Sequence, residues 1–148
     1  MVCLGNICRS PLAEGILKAK VSSDIYVDSA GTAGYHVGEL PDKRSVIVAK
    51  KHGIDITDQR SRKFSIADFD HFDRIYAMDE SNYQAIVSLA RNKEDTDKVT
   101  MILQEVYPKE KLGVPDPYYG GDKGFENVYN MLDEACEIIA SKLNTNER

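Results

Sequence analysis

Close to its start the chain reads Cys3-Leu-Gly-Asn-Ile-Cys8-Arg9-Ser10-Pro11, a cysteine and an arginine separated by five residues. Five residues suffice to curl the backbone so that several N–H groups point inward, and a helix beginning just beyond adds the positive end of its dipole. The segment therefore predicts a cradle for an anion, with Gly5 permitting the turn. Arg9 offers a planar fork of donors that can hold two oxygens of a phosphoryl group, which a lysine cannot do in the same geometry. In that field Cys3 is favoured as a thiolate beneath the bound phosphorus, which makes it the candidate nucleophile. Leu4, Gly5, Asn6, Ile7, Cys8 and Ser10 are the candidates for binding the oxyanion. Ser10 has two readings. It can cap a helix whose first residue is Pro11, or its hydroxyl can donate to the Cys3 sulfur and stabilise the thiolate both before attack and on leaving.

A Cys-x5-Arg string arises often by chance, so its placement between a strand and a helix decides its value. Hydrophobic period and turn residues predict a strand stub at Val2-Cys3-Leu4, a helix from Ser10 to about Lys20, a strand over Ile25 to Ser29 and a helix over Pro41 to Lys51. Further on they predict a short helix over Ser65 to Phe69, a strand over Asp73 to Met78, a helix over Glu80 to Ala90, a strand over Lys98 to Leu103 and a closing helix over Phe125 to Leu143. Strands alternating with helices imply an α/β domain with a four-stranded parallel sheet covered on both faces. Such sheets bind ligands outside the carboxyl ends of their strands, which is where the Cys3 loop falls. Only Met1 and Val2 precede Cys3, against the five to six residues of an average strand, so the first strand is expected to be short. Either the chain is clipped there or the strand manages with less pairing.

The 148 residues, 42% hydrophobic and 29% charged, match one ordinary domain spanning 1–148. No apolar run approaches the ~20 residues of a membrane span, and no secretory signal pattern is visible, so a cytoplasmic protein without a membrane role is expected. With 19 Lys and Arg against 24 Asp and Glu the net charge is −5, which argues against broad affinity for nucleic acid or anionic lipid. An anionic substrate must then be attracted locally. Three cysteines form no disulfide framework, and Cys3, Cys8 and Cys136 with His36, His52 and His71 match no metal pattern.

The run from Val2 to Glu14, Val-Cys-Leu-Gly-Asn-Ile-Cys-Arg-Ser-Pro-Leu-Ala-Glu, resembles the phosphate-binding loop and first helix of the low molecular weight protein tyrosine phosphatases. Val27-Asp-Ser-Ala-Gly-Thr32, Lys51-His-Gly-Ile54, Ala77-Met-Asp-Glu-Ser-Asn82 and Asp116-Pro-Tyr-Tyr-Gly120 resemble the family's other signatures, in the same order, over nearly the whole chain. The resemblance implies a flavodoxin-like three-layer α/β/α fold with the phosphate-binding loop after the first strand. It also implies a phosphatase that needs neither metal nor other cofactor and works through a phosphocysteine intermediate. Its expected partners are phosphotyrosine-containing proteins or peptides, with inorganic phosphate or other oxyanions as product or inhibitor.

Expelling a phenoxide, whose conjugate acid has a pKa of about 10, is easier if a positioned acid protonates it. Asp116 stands in Val-Pro-Asp-Pro-Tyr-Tyr, where the flanking prolines stiffen the backbone; on the residues alone this reads more readily as a plain turn. The resemblance assigns the general acid to Asp116 and puts Tyr118, Tyr119 and the rim residue Tyr35 on the pocket wall. Asn6 tolerates a left-handed backbone, and its amide can tie the loop to Ser29. Asp79 is most simply the cap of the following helix, with support of the pocket as a second reading. Cys136 lies on the stripe Phe125, Val128, Leu132, Cys136, Ile139, Leu143 and is assigned to the core. Cys8 is either a small packed residue or a partner for a reversible disulfide with Cys3. His52 is explained by the basic end of a helix before Gly53, and Arg60-Ser-Arg-Lys63 is read as a solvated face. Two other activities remain in view: a phosphoarginine phosphatase, which resembles a loop with Thr in place of Ile7, and a thioredoxin-coupled arsenate reductase, which needs a mobile third cysteine. A binding module without turnover is a third.

Overall fold

The computed structural model describes residues 1–118 and 121–146, apart from the side chains of Asp122 and Asn146. The sheet has four strands, β1 (Val2–Cys3), β2 (Ala30–Gly31), β3 (Ile75–Ala77) and β4 (Val99–Met101), in the order β2-β1-β3-β4, all parallel. Among the described residues six α-helices are interleaved: α1 (Arg9–Lys18), α2 (Lys43–Lys51), α3 (Ala67–His71), α4 (Glu80–Val87), α5 (Lys93–Asp97) and α6 (Asp122–Asn146). A 3-10 turn, Ile102–Glu105, follows β4.

Alternation along each short strand divides the core in two. Cys3 and Tyr76 face a layer built by α1, α2 and α6, in which Leu12, Ile16, Leu132 and Ile139 are wholly buried. Val2, Ile75, Ala77 and Val99 face the other layer, closed by Phe69 of α3 and Ile86 of α4. This is the three-layer, flavodoxin-like arrangement. Its strand order changes direction beside β1, so the segment leaving β1 sits at the place where such sheets bind ligands. Among the described residues no helix is long and apolar enough to cross a membrane.

The elements follow the expected order, with some differences: the last strand stops at Met101, and Ile102 and Leu103 enter the 3-10 turn. The second strand is Ala30–Gly31 instead of Ile25–Ser29. Register explains the shift: Val2 stands opposite Ala30 and Cys3 opposite Gly31, so residues 25–29 lie before the paired stretch of β1 and form no strand. Helix α5 was not expected, because its five residues are polar and carry no apolar period. It is held by its cap instead, the Asn92 side chain accepting from the Asp95 N–H and Arg91 pairing with Asp95 at 2.9 Å. The basic run at 60–63 is a solvated face only in part: Arg60 and Lys63 are exposed, but the two residues between them are not. Ser61 is buried, Arg62 pairs with Asp28 and Asp68 at 3.1 and 3.0 Å, and the main chain bridges Gly31 to Lys63 beside β2.

Candidate active site

The loop from Cys3 to Arg9 is shaped by what holds its carbonyls. Those of Cys3 and Leu4 accept from the N–H groups of Thr32 and Ala33, each at 2.9 Å, and that of Ile7 accepts from Asp42 N–H at 2.7 Å. The Gly5 carbonyl accepts from Ser61 Oγ at 3.0 Å and the Cys8 carbonyl from Ser45 Oγ at 3.2 Å. A trans peptide is planar, so a carbonyl tied outward turns the next N–H inward. Five outward carbonyls thus aim the N–H groups of Leu4, Gly5, Asn6, Cys8 and Arg9 toward the centre of the loop, an anion nest at the start of α1. The Asn6 N–H meets Cys3 Sγ there at 3.3 Å. Gly31 lets the curl lie flat on β2, since a Cβ at that position would stand 2.8 Å from the Leu4 carbonyl oxygen and 3.1 Å from the Asn6 nitrogen.

Behind the loop a buried chain of polar groups runs to the nucleophile candidate. Asn6 adopts φ +57°, the left-handed conformation expected of it. From there its amide donates to Ser10 Oγ at 2.7 Å and to Ser29 Oγ at 2.9 Å, while its carbonyl oxygen accepts from Arg62 N–H at 3.0 Å. Ser29 donates to Glu14 at 2.6 Å, and Ser10 Oγ lies 3.0 Å from Cys3 Sγ and 3.4 Å from the Ala30 carbonyl. With the Asn6 amide occupying one lone pair, the Ser10 O–H is left to point at Cys3 or Ala30. Ser10 is not the helix cap. The capping position is Cys8, with no side-chain hydrogen bond, because the loop curls into α1 two residues earlier than the Ser-Pro pattern predicts.

Arg9 is buried, and its guanidinium is fixed before any ligand arrives. Nη1 donates to Asp79 Oδ2 at 2.7 Å and to the Val114 carbonyl at 3.0 Å, and Nη2 stands 3.5 Å from Asp116 Oδ2. The other oxygen of Asp79 accepts from Asn82 N–H at 2.8 Å and caps α4, so one side chain joins the helix cap to Arg9. Asp116 is more exposed, and Oδ1 accepts from Tyr118 N–H at 3.0 Å in a local Asx turn.

These parts border one open cleft, lined by Cys3, Leu4, Gly5, Ile7, Cys8, Arg9, Tyr35, His36, Asp116 and Tyr118. Asn6, Ser10, Ser29 and Asp79 stand outside that lining; Tyr119 lies outside the described residues. Sequence reasoning missed His36, which packs over Gly5 and bonds Glu39 at 2.7 Å, and no spacing signal marks it. It also missed Glu14 and Ser61, which brace the loop from behind. Burial, with the Asp42 carboxylate adding to it, pushes the Cys8 thiol up to about 12. Cys136 is wholly buried on the core stripe, where burial likewise raises its thiol to about 12. His52 closes α2 as expected, but it also stacks on Tyr129 at 3.9 Å between centroids and meets Glu126 at 2.9 Å.

Comparison with known proteins agrees with this geometry. The family model for low molecular weight phosphotyrosine protein phosphatases matches residues 1–148. The human low molecular weight phosphotyrosine protein phosphatase is 40% identical over 147 residues, covering 95% of this chain and 92% of its own. A crystal structure of the protein tyrosine phosphatase from Entamoeba histolytica, with Hepes in its active site, superposes with a TM-score of 0.89 at 38% identity, over 99% of this chain and 96% of that one. Wzb of Vibrio vulnificus, in complex with benzylphosphonate, superposes with a TM-score of 0.86 at 30% identity, over 95% and 94%. The nest around Cys3, the fold that carries it and these similarities agree: the chain belongs to the low molecular weight phosphotyrosine protein phosphatase family.

Proposed function

We propose that this chain hydrolyses phosphotyrosine in proteins through a phosphocysteine intermediate, with Cys3 as nucleophile, Arg9 as phosphate clamp and Asp116 as general acid and base. The observation that carries the reading is the convergence on one cleft of Cys3, the inward N–H groups of its loop, a buried Arg9 and the Asp116 carboxyl 3.5 Å from that arginine. The Cys3 thiolate attacks phosphorus. The nest and Arg9 stabilise the equatorial oxygens as charge builds, a contribution that water cannot match because the donors are already oriented. Asp116 protonates the departing phenolic oxygen, then takes a proton from the water that hydrolyses the phosphocysteine. Ser10, 3.0 Å from Cys3 Sγ, stabilises the sulfur as it leaves. Leu4, Ile7, Tyr35 and Tyr118 supply an apolar wall suited to an aryl group. Inorganic phosphate and related oxyanions would occupy the same nest. Residues 1–148 act as one catalytic domain, and three free thiols fit a reducing cytoplasm.

The wall favours an aryl phosphate over phosphoarginine, and Ile7 supports the same choice. A reductase that passes oxidation along three cysteines is disfavoured by Cys136, which is 0% exposed in the core. The test is turnover of a phosphotyrosine peptide in EDTA, with Cys3→Ser alongside and a phosphoarginine peptide and arsenate with thioredoxin as rivals. Hydrolysis lost in Cys3→Ser, with a phosphocysteine trapped by rapid quench, is the expected result. Turnover surviving Cys3→Ser, or preference for either rival, would overturn it.

A further inference from the structure

Asp116 can serve as an acid only if its loop is held at a fixed height above Cys3, and that loop is anchored on both sides. Two residues before it, Val114 N–H donates to the Met78 carbonyl at 2.8 Å and the Val114 carbonyl accepts from Arg9, tying this side to the end of β3. Two residues after it, the anchor is Arg44. Its Nη2 donates to the Tyr118 carbonyl at 3.0 Å, and its guanidinium lies over the Tyr118 ring at 5.5 Å and the Phe125 ring at 4.5 Å. Arg44 is itself fixed by a two-pronged contact, Nε and Nη2 each 3.1 Å from an oxygen of Asp42. The Asp42 N–H in turn holds the Ile7 carbonyl of the nest. A continuous path therefore joins the phosphate loop to the acid loop: Ile7, Asp42, Arg44, Tyr118, and by the Tyr118 N–H to Asp116 Oδ1.

We propose that Arg44 is a positioning residue that sets the distance between the Asp116 carboxyl and the leaving oxygen held over Cys3. The inference rests on the reading of Asp116 as general acid. Only a fork can serve here, because the planar guanidinium reaches the carboxylate, a carbonyl and two ring faces at once, whereas an ammonium is a point donor. A displacement of about 1 Å in a proton donor is costly even when no contact to substrate is lost.

The test compares kcat/KM for p-nitrophenyl phosphate, whose phenolate leaves readily, with phenyl phosphate, whose phenol has a pKa of about 10 and needs the acid. The proteins are wild type, Asp116→Asn, Arg44→Ala, Arg44→Lys and the double variant Asp116→Asn with Arg44→Ala. Loss of a general acid typically costs on the order of 10²- to 10⁴-fold, and Asp116→Asn should place that loss on phenyl phosphate. Arg44→Ala should shift the ratio of the two substrates in the same sense by about tenfold, Arg44→Lys by less, and the alanine should shift it no further in the Asp116→Asn background. If Arg44→Ala slows both substrates equally, or shifts the ratio as much without Asp116 as with it, Arg44 is a structural residue and the proposal fails. If Asp116→Asn leaves the ratio unchanged, the general-acid reading has failed and Arg44 has nothing to position. Arg44→Lys keeps the test available should the alanine variant not fold.

Discussion

Replacing Asn6 with alanine is the sharpest perturbation of the nest, because one residue carries a strained backbone and three hydrogen bonds while 2% exposed. Alanine at φ +57° meets the left-handed penalty of about 1–2 kcal/mol that asparagine bears more easily. The Arg62 N–H loses its acceptor in a partly buried position, at about 1 kcal/mol. Ser10 and Ser29 keep other partners, Cys3 or Ala30 and Glu14, so each loses an ordinary net hydrogen bond of about 0.5–1.5 kcal/mol. Together the loss is about 3–6 kcal/mol, a large part of the roughly 5–15 kcal/mol a domain typically has. With a urea slope of about 1–3 kcal/mol per molar, the midpoint should fall by roughly 2 M. Asn6→Gly removes the same side chain without the backbone penalty and should recover about 1–2 kcal/mol of it. Both variants should also lose kcat/KM, since the Asn6 amide no longer holds Ser10 toward the sulfur. Urea melts and p-nitrophenyl phosphate kinetics on the three proteins decide the matter. A loss under about 1 kcal/mol, or a glycine variant no more stable than the alanine, would refute this account of the loop.

Two further outcomes follow from the titrating groups. Burial pushes the Asp42 carboxyl up, but the side-chain and backbone donors of Arg44 outweigh it and hold the group below its ordinary value. A depressed folded-state value means stability that is fully present above about pH 4 and is lost as pH falls through the folded value. Urea midpoints between pH 7 and 3 should therefore fall less steeply in Asp42→Asn than in wild type, and parallel curves would contradict the assignment. Peroxide should oxidise Cys3 to the sulfenic acid, which the Cys8 sulfur then attacks to form the disulfide with loss of water. Because burial pushes the Cys8 thiol up to about 12, closure should be slow at neutral pH and quicken as pH rises. Mass spectra that show Cys3 sulfinic acid and no Cys3–Cys8 linkage would count against it.

The chemistry was legible in the sequence because it is local. A candidate nucleophile, a turn glycine, a forked cation and a helix start lie within Cys3 to Pro11, and their spacing together with their placement between a strand and a helix implies a nest. The alternation of strands with helices likewise implied a covered parallel sheet, since parallel neighbours need crossovers. The limits of β2 were not legible: Ile25 to Ser29 has the composition of a strand, but pairing needs a neighbour, and β1 offers one only opposite Ala30 and Gly31. Nor could spacing show that Arg62, read as a solvent-facing cation, donates to two carboxylates and lends its N–H to Asn6, since those partners lie 34, 6 and 56 residues away. Ser10 illustrates the boundary. Its sequence context predicts a cap, and only the path of the loop, with carbonyls tied to Thr32, Ala33, Asp42, Ser45 and Ser61, turns its hydroxyl toward Cys3 instead. Residue types and short spacing by themselves marked an anion-binding loop carrying a cysteine and an arginine, and the reaction was implied only by the resemblance of several such segments to one family. The tertiary structure decided which groups hold that equipment still, because the hydrogen bonds that orient a loop come from segments that meet it only in the fold.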